Sequence, residues 1–284
     1  MQRSHSPAHS SPAFSLSSAL FWLLSATMLL AGLRLSAQER PLAAADTLAN
    51  IQVHGDTLDL PGLSVQLTAQ GFPRQLRVIG KPAAAVSPAD TTDLLAENIH
   101  FHFTRIADDK DIRLTQKGLH SWMRRPDRVR WQASSESEEL QMDVYGSMNS
   151  VGLLFYSVSV MALQDLELKD LTFHIPFNKE ASGLMTGLGI SGARPDSILL
   201  WPWSAARGHI ANAWIGMRHA GLHINLSSTH GDHGQGNISV GIKGKSMLFN
   251  DYTGTCSLKK GTVLYYNFYL LITHNPPDSS TFIE

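Results

Sequence analysis

The chain has 284 residues, with 23 Lys plus Arg against 24 Asp plus Glu and a formal net charge of −1. Charges so balanced and interspersed exclude the strongly basic surface that nucleic acid or an anionic membrane selects. The single cysteine, Cys256, excludes a disulfide framework within the chain, so stability has to come from a buried core.

Residues 20–33 are an uncharged apolar run, with Arg3 upstream and Leu35-Ser36-Ala37 downstream. The run is shorter than the roughly 20 residues that span a bilayer. It reads as a secretory signal peptide over residues 1–37, with cleavage leaving Gln38 as the new terminus. The expectation is an exported protein, periplasmic, cell-surface or extracellular, with no membrane contact after cleavage.

Residues 38–97 read as a polar leader, N-terminal strands and an exposed loop. Ile51, Val53, Leu58, Leu60, Leu63, Val65 and Leu67 alternate, broken at His54-Gly55-Asp56 and Pro61-Gly62, which predicts short strands joined by tight turns. Gly71-Phe72-Pro73 predicts a turn and residues 76–79 a strand. Residues 81–93, rich in Ala, Pro, Ser and Thr, predict the loop.

Residues 98–278 carry the stronger strand signal. Ile99, Phe101 and Phe103 share one face, and His100, His102 and Thr104 the other. Strands follow over residues 129–133 and 140–145, with Gly146 to Gly152 turning the chain before a central strand over 153–163. Between Leu168 and Leu171 the apolar phase slips, which predicts a bulge or a turn at Lys169-Asp170. Residues 208–226 predict a hairpin. In residues 262–273 both faces are apolar or aromatic, which predicts a strand between two layers. Pro276-Pro277 then marks a domain exit, and residues 279–284 read as the start of a truncated linker. Many short strands and no long amphipathic helix give the fold class: all-β, a large antiparallel β-sandwich preceded by a signal peptide.

Three stretches together resemble the N-terminal β-sandwich domain of glycoside hydrolase family 123 and related proteins. The first is Leu171-Thr172-Phe173-His174-Ile175-Pro176 followed by residues 187–195. The second is Trp201-Pro202-Trp203, then Ala213-Trp214-Ile215-Gly216 and Ala220-Gly221-Leu222. The third is Leu270-Leu271-Ile272-Thr273 with Pro276-Pro277 behind it. One departure stands out: Met217-Arg218-His219 replaces acidic and amide residues usual in the relatives. The resemblance implies a module that precedes a catalytic (β/α) barrel hydrolysing N-acetylhexosaminides. That barrel carries an adjacent Asp-Glu pair, and no Asp is directly followed by Glu in this sequence. The resulting expectation is a non-catalytic module, truncated before its barrel, whose partners are that barrel and amino-sugar glycans. The alternative is a stand-alone carbohydrate-binding module.

Trp201, Trp203, Trp214 and Arg218 are the carbohydrate-binding candidates, since flat rings stack on the apolar faces of pyranoses. The competing reading of the three rings is core or interface filling, and of Arg218 a solvated side chain. His100 and His102 have a chelating spacing but no assigned third ligand, and His230-Gly231-Asp232-His233 is a polar loop. Gly187-Leu188-Gly189-Ile190-Ser191-Gly192 opens no helix, so a loop between strands accounts for it. Cys256 reads as a small buried side chain. No catalytic residue, metal or cofactor is assigned. Were a domain missing, an apolar patch should lie at residues 199–203 and after Thr273.

Overall fold

The structure is a computed structural model that describes residues 50–79, 91–205, 210–228 and 236–276. The signal-peptide reading, the His230 to His233 loop and the residues beyond Pro276 lie outside the described residues. Among those described, no helix is long and apolar enough to cross a membrane.

Three antiparallel sheets make up the described fold. The first is a five-stranded sheet in chain order: β1 (Gln52–His54), β2 (Thr57–Leu60), β3 (Leu63–Leu67), β4 (Pro73–Ile79) and β5 (Thr91–Asp93). The turns fall where the sequence places them, and Gly55, Gly62 and Gly71 all have positive φ.

The six-stranded sheet contains β6 (His100–Arg105), β11 (Leu166–Asn178), β14 (Leu199–Pro202), β17 (Asn237–Lys243), β18 (Ser246–Tyr252) and β19 (Cys256–Leu258). The nine-stranded sheet contains β7 (Thr115–Arg125), β8 (Arg128–Glu136), β9 (Leu140–Asn149), β10 (Leu153–Ala162), β12 (Leu184–Gly187), β13 (Ile190–Ala193), β15 (Ile210–Met217), β16 (Ala220–Ser228) and β20 (Val263–Thr273). Its order is β13-β12-β15-β16-β20-β10-β9-β8-β7.

The two larger sheets face each other across an aromatic core, which makes the fold an all-β antiparallel sandwich. Phe173 of β11 meets Phe268 of β20 at 4.6 Å between ring centroids, and Phe101 of β6 meets Tyr266 at 5.2 Å. Burial alternates along β8, β9 and β10, as one covered face per strand requires. The small sheet is tied in at the turn before β4. Phe72 packs between Phe101 and Tyr156. The Trp131 indole and the Tyr156 hydroxyl both donate to the Gly71 carbonyl, at 2.9 and 3.3 Å. Burial pushes the Tyr156 phenol well above its usual range, so it stays a donor.

Of the two readings of the phase slip, the bulge holds. β11 runs unbroken, and its register against β6 shifts between Leu168 and Asp170. The irregularity sets the Asp170 carboxylate against the Gly254 amide at 2.9 Å, where β18 gives way to β19.

Three expectations need correction. Of the loop read over residues 81–93, residues 91–93 are instead strand β5, held by pairing with β4, and residues 81–90 lie outside the described residues. Residues 146–149 do not turn the chain; β9 continues to Asn149, and the turn is at 150–152. Gly146 is there because it sits opposite Trp131, where a Cβ would come within 2.1 Å of the indole. Nor does β20 lie between two layers. Tyr266, Phe268, Leu270 and Ile272 are buried, whereas Tyr265 and Asn267 are exposed. The stretch 187–190 is a hairpin turn: Leu188 and Gly189 both have positive φ between β12 and β13, the requirement of a type I′ turn.

Candidate functional site

The outer face of the nine-stranded sheet, turned away from the six-stranded one, holds a groove of ≈ 510 Å³. That volume lies within the range typical of small-molecule sites. Strand register builds its lining. One row crosses the sheet as Asn225, Tyr269, Phe155, Ser147 and Arg130, each directly opposite the next on β16, β20, β10, β9 and β8. A second row runs Ser227, Asn267, Ser157 and Tyr145. Neighbouring Cα atoms in such a row are roughly 5 Å apart, so the side chains form a continuous surface.

The chemistry of that surface is aromatic rings among neutral hydrogen-bonding groups. Phe155 and Tyr145 are 49% and 48% exposed. Phe155 and Tyr269 have ring centroids 5.8 Å apart, and the His223 imidazole meets Tyr269 edge-on at 5.9 Å. Burial lowers the His223 pKa and raises that of Tyr269, so the ring pair is uncharged near neutrality. Asn225 donates to the Asn212 carboxamide oxygen, and Gln132 donates to the Tyr145 hydroxyl at 3.3 Å. The described lining includes no carboxylate. Asp143 shares the face one row further on, where its carboxylate accepts from Gln141 at 2.8 Å.

The tryptophans of the sequence analysis lie elsewhere. Trp203 is buried, and its indole donates to Asp251 at 2.7 Å. Burial, with Asp170 nearby, raises the Asp251 carboxyl to about 7 against that hydrogen bond. Trp201 is half-buried, packs against the core and meets Trp203 edge-on at 6.0 Å. Trp214 stands on the other large sheet and is 0% exposed. Its ring lies over Gly216 and Gly221, where a Cβ would come within 2.8 and 2.3 Å, and its indole donates to Thr273 at 2.9 Å. Arg218 is exposed in the two-residue turn between β15 and β16. The four residues therefore form no single platform, and Trp203 and Trp214 offer no open ring face.

On the outer face of the six-stranded sheet, β11 adds His174 beside His100 and His102. Ring centroids are 4.9 and 5.4 Å from His174. Each Nδ1 faces an oxygen: Asn98 carbonyl at 2.8 Å, Asp111 at 3.5 Å and Asn250 at 2.7 Å respectively for His100, His102 and His174. Among the described residues, no group of three His, Cys, Asp or Glu is placed to hold a metal ion. Cys256 is half-buried, and burial beside Asp170 and Glu167 raises its thiol to about 11, so it is an unreactive thiol near neutrality. Within residues 199–203, Leu200 on the edge strand β14 is 66% exposed, as is Ile198 just before the strand, whereas Trp203 is buried. Residues 274–276 add no large apolar side chain.

Sequence reasoning missed the groove. Its residues come from five strands spread from Arg130 to Tyr269, and each strand by itself shows ordinary alternation. The available signal was Asn267, a carboxamide at the centre of an aromatic strand face.

Comparison with known proteins places the chain in a family. A family profile described as glycoside hydrolase 123, third domain, matches residues 51–274. The matched region is thus the family's third domain, where the resemblance in the sequence implied its N-terminal one. No curated protein matches the chain. Among solved structures, a protein assigned as an aldose 1-epimerase from Klebsiella pneumoniae subsp. pneumoniae MGH 78578 is 10% identical with a TM-score of 0.49, over 82% of this chain and 83% of that one. A GalM/aldose epimerase homologue from C. elegans is 10% identical with a TM-score of 0.45, over 80% and 99%. At such identities and scores neither likeness bears on chemistry. The profile covers most of the sequence, and the chain belongs to the glycoside hydrolase 123 third-domain family.

Proposed function

We propose that this chain is a non-catalytic β-sandwich module of an exported glycoside hydrolase, working beside a catalytic (β/α) barrel, and that the groove on its nine-stranded sheet holds carbohydrate. The observation that carries the binding role is the row Asn225, Tyr269, Phe155, which sets ring faces beside carboxamides. Rings cover the apolar C–H faces of a sugar while amides and hydroxyls read its hydroxyl groups. The non-catalytic role draws on the described lining, which offers neither of the two carboxyl groups that glycoside hydrolysis employs. The barrel partner draws on the family and on the exposed Ile198 and Leu200, an apolar edge suited to a docked neighbour. A stand-alone carbohydrate-binding module would use the same groove without that neighbour.

The test is calorimetric titration of the full chain with chitooligosaccharides, beside a broader glycan array, for the parent and for Phe155→Ala and Tyr269→Ala. Binding by the parent, weakened about tenfold or more by either substitution at unchanged thermal stability, is the expected result. No binding to any glycan at millimolar concentration by the folded parent would end the carbohydrate reading.

A further inference from the structure

Beyond Arg130 the groove's face leads into an unusual arrangement of charge. Val129 and Trp131 are buried in the core, so Arg128 and Arg130, alternating with them along β8, stand on the outer face. Arg125 of β7 is directly opposite Arg128, which places it on that face too. Three guanidinium groups therefore continue the line of the groove toward the β7–β8 turn. Arg125 and Arg128 are exposed, and neither forms an ion pair among the described residues. Like charges directly opposite one another in a sheet are destabilising. Such a local conflict is characteristic of functional sites, and the carboxylate nearest in sequence is the single Asp127 of the intervening turn.

We infer that this groove takes an acidic glycan, with uronate carboxylates seated on Arg125, Arg128 and Arg130. The inference rests on the carbohydrate reading of the groove and adds the class of sugar. Guanidinium groups match carboxylates in a planar, two-point pairing. Arg128 and Arg130 are two residues apart on one strand, about 7 Å. Two guanidinium groups at that spacing can flank a single carboxylate, which suits one charge per disaccharide better than a dense polysulfate. Phe155, one strand beyond Ser147 from Arg130, sets aromatic surface in line with the arginines, which suits a chain in which uronates alternate with less polar units. The described lining has no carboxylate to repel such a chain.

The experiment titrates the full chain with a hyaluronan oligosaccharide, in which N-acetylhexosamine alternates with a uronate. The same oligosaccharide with its carboxyl groups reduced to alcohols and a chitooligosaccharide are run beside it. The proteins are the parent, the double variant Arg125→Gln/Arg128→Gln and Phe155→Ala. The expected result is salt-sensitive hyaluronan binding that falls about tenfold or more on carboxyl reduction and in the arginine variant. The arginine variant leaves chitooligosaccharide binding unchanged, and Phe155→Ala weakens both. Equal binding of acidic and reduced oligosaccharides would overturn the uronate inference and leave the carbohydrate groove standing. Hyaluronan binding indifferent to Phe155→Ala would overturn it as surface charge alone. No binding of any glycan by the folded parent would remove the carbohydrate reading itself. Because Arg125 and Arg128 are exposed, the double variant should fold, and thermal melting checks that.

Discussion

The two faces of β20 are nearly alike in composition and opposite in fate. Tyr266, Phe268, Leu270 and Ile272 close the sandwich core, whereas Tyr265, Asn267 and Tyr269 face outward. Both carry rings, so apolar content alone does not say which face is covered. What separates them is the company their strand neighbours provide. Inward, Phe268 meets Phe173 and Tyr156 at 4.6 and 4.9 Å. Outward, Tyr269 is flanked by Asn225 and Phe155, and Asn267 by Ser227 and Ser157. A ring enclosed by apolar groups alone is packing; a ring with amides and hydroxyls among its neighbours is presented.

The comparison breaks most sharply under truncation. Phe268→Ala removes the ring that joins the two large sheets, and the expected loss is about 3–5 kcal/mol in chemical denaturation. A loss below about 1 kcal/mol would mean that the sandwich is not closed by the inner face of β20 as described.

That prediction also shows how much was legible. The class, the small-sheet turns, the β15–β16 hairpin and the bulge at Asp170 follow from alternation and from turn residues, which are local signals. Gly146 misled because a glycine inside a strand and a glycine in a turn look the same in one dimension; only the indole of Trp131, from another strand, tells them apart. For Trp203 and Trp214 the core-filling reading holds, for a related reason. A Trp whose N–H finds Asp251 or Thr273 is fully accommodated by burial, and those partners lie 48 and 59 residues away. The groove depends on register across five strands, which no local pattern encodes.

A sharper probe of presented against packed polar groups is pH, at the other outer face. Burial holds the His174 imidazole down to about 4, with His100, His102 and Lys243 adding repulsion and the Asn250 hydrogen bond opposing. In the unfolded chain the ring titrates near 6.5. Below that value the unfolded state binds the extra proton first, so stability falls as pH drops from about 6.5 to about 4 and then levels. Allowing for partial exposure, the contribution is roughly 2–3 kcal/mol. His223, also lowered by burial, acts in the same direction. Asp251, raised to about 7, acts in the opposite one, costing stability as pH rises. Denaturation midpoints at pH 7.5 and 4.5 for the parent and His174→Gln isolate the single group, and the variant should show the shallower loss on acidification. An unchanged difference between the two pH values would show that His174 titrates normally in the folded protein.

The smallest expected effect on stability is the one that defines the groove. Phe155 is as large as Phe268, stands on a central strand and pairs with Tyr269, so a rule based on residue type would assign both substitutions the same cost. Phe155 is half exposed, and its ring contact is with a tyrosine that is itself only partly buried. Truncation there leaves no cavity, because solvent already bounds one side of the ring. The loss reduces to one exposed aromatic contact and part of one ring's burial, under about 1 kcal/mol for Phe155→Ser. A cycle with Tyr269→Ser should return a coupling of only a few tenths of a kcal/mol. A cost near that of Phe268→Ala would mean that the outer rings hold the sheet together. The distinction between the two faces of β20 would then collapse.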